Sequence, residues 1–149
     1  MAKVLLLDFA VTQDTLDDVI AAIDVALPRL LTKVVDASAL SADDIGGVVE
    51  RERAALVVLA YGGQSDQQRV PMLRMLTART GAPPFVAAAA CESAADVNAL
   101  LEHGARELIA LPVNVAEAAG RLRAVLRECA RTSAVDVEHP VPGLVGTNE

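Results

Sequence analysis

Aromatic residues are nearly absent: there is no tryptophan, one tyrosine and two phenylalanines, 2% of the chain. This excludes recognition that depends on exposed ring platforms, such as base stacking. Positive charge is also scarce. Lysine occurs only at Lys3 and Lys33, and 13 basic residues face 20 acidic ones for a net charge of −7. Such a chain repels phosphate backbones, and no basic run offsets this, so no direct contact with nucleic acid is expected. The two cysteines, Cys91 and Cys129, lack metal-ligand spacing and read as buried thiols of a reducing cytoplasm. Long apolar runs are missing too. Leu56–Ala60 and Phe85–Cys91 are too short to span a bilayer, and Val4–Leu7 is too short for the apolar region of a signal peptide. The expectation is a cytoplasmic protein with no membrane contact.

Catalytic signatures are equally thin. Gly62-Gly63 lacks the Gly-x-Gly-x-x-Gly spacing and runs into Gln64-Ser65-Asp66, so it is no phosphate cradle. The two histidines, His103 and His139, fall at a helix end and in the tail, and no nucleophile elbow is present. No enzyme activity, cofactor or metal site is expected.

What the chain does have is 53% hydrophobic residues, enough to build one core from Ala, Val and Leu over 149 residues. Short apolar runs alternate with amphipathic segments. Lys3–Asp8, Lys33–Asp36, Ala55–Ala60, Pro84–Ala90 and Glu107–Ala110 read as strands, the third and fourth apolar throughout as in a sheet buried on both faces. Between them, helical spacing covers Asp14–Leu27, a segment opened by Ser41, Gln67–Thr80 and Ser93–His103, and a last helix follows Asn114. Ser41 and Asn114 are N-cap residues by type, with Asp44 and Glu117 three positions on. Gly81 and Gly104 stand where helices close. Five βα units predict an α/β fold with a doubly wound parallel sheet of flavodoxin-like order 2-1-3-4-5. The buried stripe of the last helix ends at Cys129. Residues 1–130 are read as the domain and 131–149, with Pro140, Pro142, Gly143 and Gly146, as a linker.

Three segments resemble CheY-like receiver domains of two-component response regulators. They are Lys3-Val-Leu-Leu-Leu-Asp8, Ala55-Leu-Val-Val-Leu-Ala60 and, most specifically, His103-Gly-Ala-Arg-Glu-Leu-Ile-Ala-Leu-Pro-Val113. The resemblance covers Lys3 to Cys129. It implies two Mg²⁺-binding acids after the first strand, a phosphoacceptor Asp ending the third, a hydroxyl after the fourth and a Lys before the Pro of the fifth. Those places hold Asp8 and Phe9, Ala60, Ala89, and Leu111 before Pro112. Only Asp8 keeps its chemistry. A one-residue slip changes nothing, because no acid lies between Ala54 and Ser65, no hydroxyl between Pro84 and Cys91, and no lysine after Lys33. The resemblance therefore implies a pseudo-receiver that cannot be phosphorylated. It also makes Leu111-Pro112 a candidate cis peptide.

Without phosphotransfer, the resemblance leaves contact as the mode of action. The surface of the fourth helix, fifth strand and fifth helix would carry Asp96, Glu102, Arg106, Glu107, Arg121 and Arg123. Mixed charge there suits a two-fold homodimer, docking to another domain or a protein partner, and equally an ordinary solvated face. Pro142-Gly-Leu-Val-Gly-Thr-Asn-Glu149 resembles the entry to the AAA+ ATPase module of sigma-54-dependent activators, which would make this the N-terminal regulatory part of such a protein, docking on its own downstream ATPase. A second reading is small-molecule sensing in the crevice beyond the first and third strands, lined by Asp8, Phe9, Tyr61 and Gly62. Single residues carry further alternatives. Asp8 could bind a cation or accept local backbone hydrogen bonds. Asp66 could be a displaced phosphoacceptor or a helix-start acid. Tyr61 could plug the old pocket or face a partner. Cys91 could be a redox thiol at a helix start or a core residue.

Overall fold

A computed structural model of the chain describes residues 3–62, 66–78, 81–90 and 94–138. Five βα units follow in order: β1 Lys3–Phe9, α1 Gln13–Ala26, β2 Leu31–Asp36, α2 Ala42–Glu52, β3 Leu56–Tyr61, α3 Asp66–Thr77, β4 Phe85–Ala89, α4 Ala94–Glu102, β5 Ala105–Ala110 and α5 Val115–Glu138. The strands form one sheet of order β2-β1-β3-β4-β5, and every pairing is parallel. This is the doubly wound topology that the alternation predicts.

Strand alternation sorts the core into two halves. Leu5, Leu7, Val57, Leu59 and Ala87 pack with Ile45 and Val49 of α2, Leu73 and Leu76 of α3 and Leu100 of α4. Val4, Leu6, Val58, Ala60 and Ala88 pack with Val19 and Ile23 of α1 and with Ala118, Ala119, Leu122 and Val125 of α5. With so few rings available, close approach of small aliphatic side chains replaces bulk. β3 and β4 are buried along their whole length, whereas the edge strand β2 leaves Leu31 and Val34 exposed.

The helix starts use the expected chemistry. Ser41 and Asp44 close a full capping box: the Asp44 N–H donates to Ser41 Oγ at 3.2 Å and the Ser41 N–H donates to Asp44 Oδ2 at 3.4 Å. The Glu117 N–H donates to Asn114 Oδ1 at 3.0 Å, while the Glu117 carboxylate accepts from Arg121. Several boundaries move, among them the start of β5, at Ala105 and not Glu107, and the end of α3, at Thr77 and not Thr80. α1 begins earlier than Asp14 because Thr12 caps it through the Thr15 N–H. β2 begins at Leu31, ahead of Lys33. α5 runs on to Glu138, through the first residues read as linker. Cys91, Ser93 and the Pro142–Glu149 stretch lie outside the described residues, and Asp66, Asp96 and Cys129 are placed by backbone alone.

Two polar ties lock the layers. Glu52, at the end of α2 with its side chain only 8% exposed, accepts from Lys3 Nζ and Lys33 Nζ, each at 2.7 Å. These bonds join the helix to the amino-terminal ends of β1 and β2. On the same face, towards the β5 edge of the sheet, Thr77 Oγ1 donates to the Leu73 carbonyl at 2.9 Å and sits against Gly104. Gly104 has φ of +124°, and a Cβ there would lie 2.6 Å from Thr77 Cγ2 and 2.7 Å from Thr77 Oγ1.

Gly104→Ala should therefore destabilise the domain by about 1–3 kcal/mol, from left-handed backbone strain plus the clash with Thr77. Urea denaturation with and without the substitution measures it. The lysine hydrogen bonds, Lys3 first and then Lys33, hold the Glu52 carboxyl down at about 2 against the opposing effect of burial. A depressed folded-state pKa gives stability that is present above the unfolded value and is lost as pH falls towards the folded one. The thermal midpoint of the native chain should exceed that of Glu52→Gln near neutral pH, and the gap should close between about 4.5 and about 2.

Candidate functional site

The carboxyl ends of β1, β3, β4 and β5 bring the receiver positions together. Asp8 pairs with Ala60, Ala60 with Ala88, and Ala89 with Ala110. The Leu111 N–H donates to the Ala89 carbonyl at 3.2 Å, and the Leu111-Pro112 bond is cis, as the resemblance implies. Ala60, Ala88 and Ala89 are fully buried. Ala60 and Ala88 face the α1–α5 core, and alternation turns Ala89 to the opposite core. Leu111 is half-buried and packs with Val11 and Val113 on the α1–α5 core. The floor of the site is thus methyl groups, and its β5 side is an aliphatic chain.

Asp8 is the polar group left at this end. Its Oδ1 accepts from the Val11 N–H at 3.1 Å, which turns the chain out of β1. Ala10, between them, takes φ of +65°, a left-handed conformation that non-glycine residues seldom adopt. The local hydrogen-bonding reading of Asp8 therefore has its partner in place. Among the described residues no group of three or more His, Cys, Asp or Glu side chains is placed to hold a metal. One carboxylate does not supply the oxygen set that Mg²⁺ requires.

The loops above the floor meet directly. The Gly62 N–H donates to the Phe9 carbonyl at 3.1 Å. A Cβ on Gly62 would collide with the Ala10 carbonyl and stand 2.7 Å from the Phe9 oxygen. Only glycine lets the turn after β3 settle on the turn after β1. On the other side of the strands, Phe9 and Tyr61 are register partners whose rings stack with centroids 5.1 Å apart and planes at 27°. They are 3% and 2% exposed. Tyr61 is therefore a buried residue of the α2–α3 side, away from Asp8 and Ala60, and not an exposed contact residue. Of the residues expected to line a crevice over the first and third strands, Phe9 and Tyr61 are buried in this stack, the Gly62 N–H is bonded to Phe9, and Asp8 lies on the other face. A cavity of about 440 Å³ opens beside the stack, between the turn after β2 and the start of α2 on one side and α3 on the other, with Phe9 in its wall.

The fourth-helix, fifth-strand and fifth-helix face is more ordered than its composition suggested. Glu107 and Arg121 pair at 2.8 Å, and Arg121 also reaches Glu117 at 3.3 Å. Glu102 and Arg106 are exposed. Arg123 does not join them: its guanidinium donates to the Val25 carbonyl of α1 at 3.0 Å and ties α5 to α1. Ala10 and Val11 were not singled out from the sequence, and Gly62 was expected as a lining of the crevice, not as the residue that closes the two turns on each other. A glycine directly following a buried strand was the available signal for Gly62, whereas the αL alanine carries none.

No protein-family model matches the sequence, and no curated protein does. Solved structures do. The signal receiver domain of a DNA-binding response regulator from Colwellia psychrerythraea superposes with a TM-score of 0.66 at 11% identity, over 85% of this chain and 99% of that one. An atypical orphan response regulator, described as having a phosphorylation-independent regulatory mechanism, superposes with a TM-score of 0.63 at 16% identity, over 84% of this chain and 95% of that one. NtrX from Brucella abortus gives a TM-score of 0.74 at 18% identity, over 98% of this chain, which spans 31% of NtrX. At such identities the likeness is one of fold: the chain has the receiver-type α/β fold.

Proposed function

We propose that this chain is a regulatory domain of the two-component type that works without aspartyl phosphorylation and acts by contact, through dimerisation or docking on another domain. The observation that carries the reading is the state of Ala60. It stands beside Asp8 where receivers place the phosphoacceptor, and it is fully buried under a floor of alanines. A methyl group cannot attack a phosphoryl group, and Leu111 cannot neutralise one. The likeness to a regulator described as phosphorylation-independent supports the same reading.

The likeness to NtrX, of which this chain spans 31%, fits a regulatory part of a longer protein. Together with the Leu144-Val-Gly-Thr147 stretch, it favours the sigma-54-dependent activator as that protein. The ordered Glu107–Arg121–Glu117 pairs offer alternating charge to a second copy or to a downstream domain. Among the described residues no helix is long and apolar enough to cross a membrane, consistent with action in solution.

Treatment with acetyl phosphate and Mg²⁺, or with beryllofluoride and Mg²⁺, should leave the intact mass and the amide NMR spectrum unchanged. A stoichiometric phosphoryl adduct, or beryllofluoride shifts centred on Asp8, would overturn the reading. Light scattering on the same chain should give the dimer mass if self-association is the contact. Arg121→Glu should then weaken the dimer, because it sets like charge against Glu107 and Glu117.

A further inference from the structure

The cavity beside the Phe9–Tyr61 stack is not explained by the reading above. It holds about 440 Å³, within the range of about 300–1,000 Å³ that small-molecule sites occupy. Phe9 and Ala37 form its floor at the carboxyl ends of β1 and β2. Leu40 and Ala42 form the wall on the α2 side, and Pro71 and Met72 form the wall on α3. None of these side chains is charged, although 22% of the chain is. Among the described residues, Ser38 supplies the lining hydroxyl.

The polar groups around the cavity are already engaged with each other. Ser38 donates to Asp36 through both its N–H at 3.1 Å and its hydroxyl at 2.7 Å, which leaves the lone pairs of that hydroxyl to accept a bond. Ser41 and Asp44 satisfy one another in the capping box. Water in the cavity therefore finds few partners, and an apolar occupant gains by displacing it. Among the described side chains, the charged neighbours in sequence of Ala37 and Ala42 are acidic: Asp36 before Ala37, and Asp43 and Asp44 in the first turn of α2. Those carboxylates oppose an anionic ligand. The cavity's size suits a single ring or branched chain and not a helix.

We propose that this cavity binds a small, uncharged, mostly apolar molecule carrying one hydrogen-bond donor for Ser38. Phe9 makes the site consequential. The same ring lines the cavity and stacks on Tyr61, next in the chain to Ala60. An occupant that presses on Phe9 shifts the stack at the carboxyl ends of β1 and β3. The fold would then take its input from a ligand at β1 and β2, one strand away from where receivers take theirs.

The test uses cyclohexanol, a neutral ring with one hydroxyl, titrated into the full chain labelled with ¹³C at the methionine methyls. The Met72 methyl and the Tyr61 ring resonances should shift saturably together. Cyclohexanecarboxylate should bind about tenfold or more weakly because of the surrounding acids. Ala42→Leu, at an exposed position early in α2, fills the cavity without touching the core and should abolish the saturable shift. Ser38→Ala, also at an exposed position, should weaken it. The proposal is overturned if the Met72 shift rises linearly without saturation, if it persists unchanged in Ala42→Leu, or if Met75 responds in place of Met72. It is equally overturned if the carboxylate binds as well as the alcohol. None of these outcomes depends on whether the chain can be phosphorylated.

Discussion

The parallel pairing of β1 with β3 sets everything above the sheet. Its register places Asp8 beside Ala60 and Phe9 beside Tyr61. Because the side-chain period of a strand is two, the same register sends Asp8 and Ala60 to one face and the two rings to the other. The next step of the pairing is the hydrogen bond from the Gly62 N–H to the Phe9 carbonyl, which lays the turn after β3 on the turn after β1. A single backbone register thus sets the methyl group of Ala60 on one face and aromatic bulk on the other, and joins the two turns at the end.

Energetics favour this arrangement as it stands. An acid at position 60 would be a buried carboxylate between Ala88 on one side and the carboxylate of Asp8 on the other, with no lysine after Lys33 to offset its desolvation. Receivers meet that cost with a metal and a lysine. Here the methyl groups of Ala60, Ala88 and Ala119 pack with Val58, Leu122 and Val125, and burial adds stability where a charged pocket would subtract it. The losses at the four receiver positions are therefore coupled. Once the lysine and the second metal ligand are gone, a buried Asp is destabilising, and alanine at 60 is the residue the site tolerates best.

Much of this was legible in the sequence because it rests on local patterns. The continuous apolar runs of Leu56–Ala60 and Phe85–Ala89 announce central strands, and Ser41, Asn114 and Gly104 announce helix ends by their side-chain chemistry or lack of one. The fold order followed from the alternation of strand and helix. Boundaries at the edges were less legible. Leu31 opens β2 while exposed, so burial patterning gives no signal for it. α5 continues beyond its buried stripe because a helix propagates on backbone hydrogen bonds and good helix formers, and the first proline after it is Pro140. The closure by Gly62 and the cavity wall at Ala42 and Met72 were not legible, since each depends on residues far apart in the chain meeting at the sheet's end.

The filled pocket and the open cavity are linked by one ring. Phe9 stands where the resemblance to receivers implies a metal-binding acid, and a benzyl group in place of an acid changes two things at once. It removes a Mg²⁺ ligand, and it adds an apolar surface facing α2 and α3 on the side away from Asp8. An acid at position 9 could not line an apolar cavity or stack on Tyr61 without a large desolvation cost. On the proposed reading, the residue that withholds a Mg²⁺ ligand is also the one that supplies an apolar wall at the carboxyl end of β1, where open α/β sheets take their ligands. If both proposals hold, a receiver-type sheet works without phosphoryl chemistry and keeps a place to read a signal, because both depend on the same strand end.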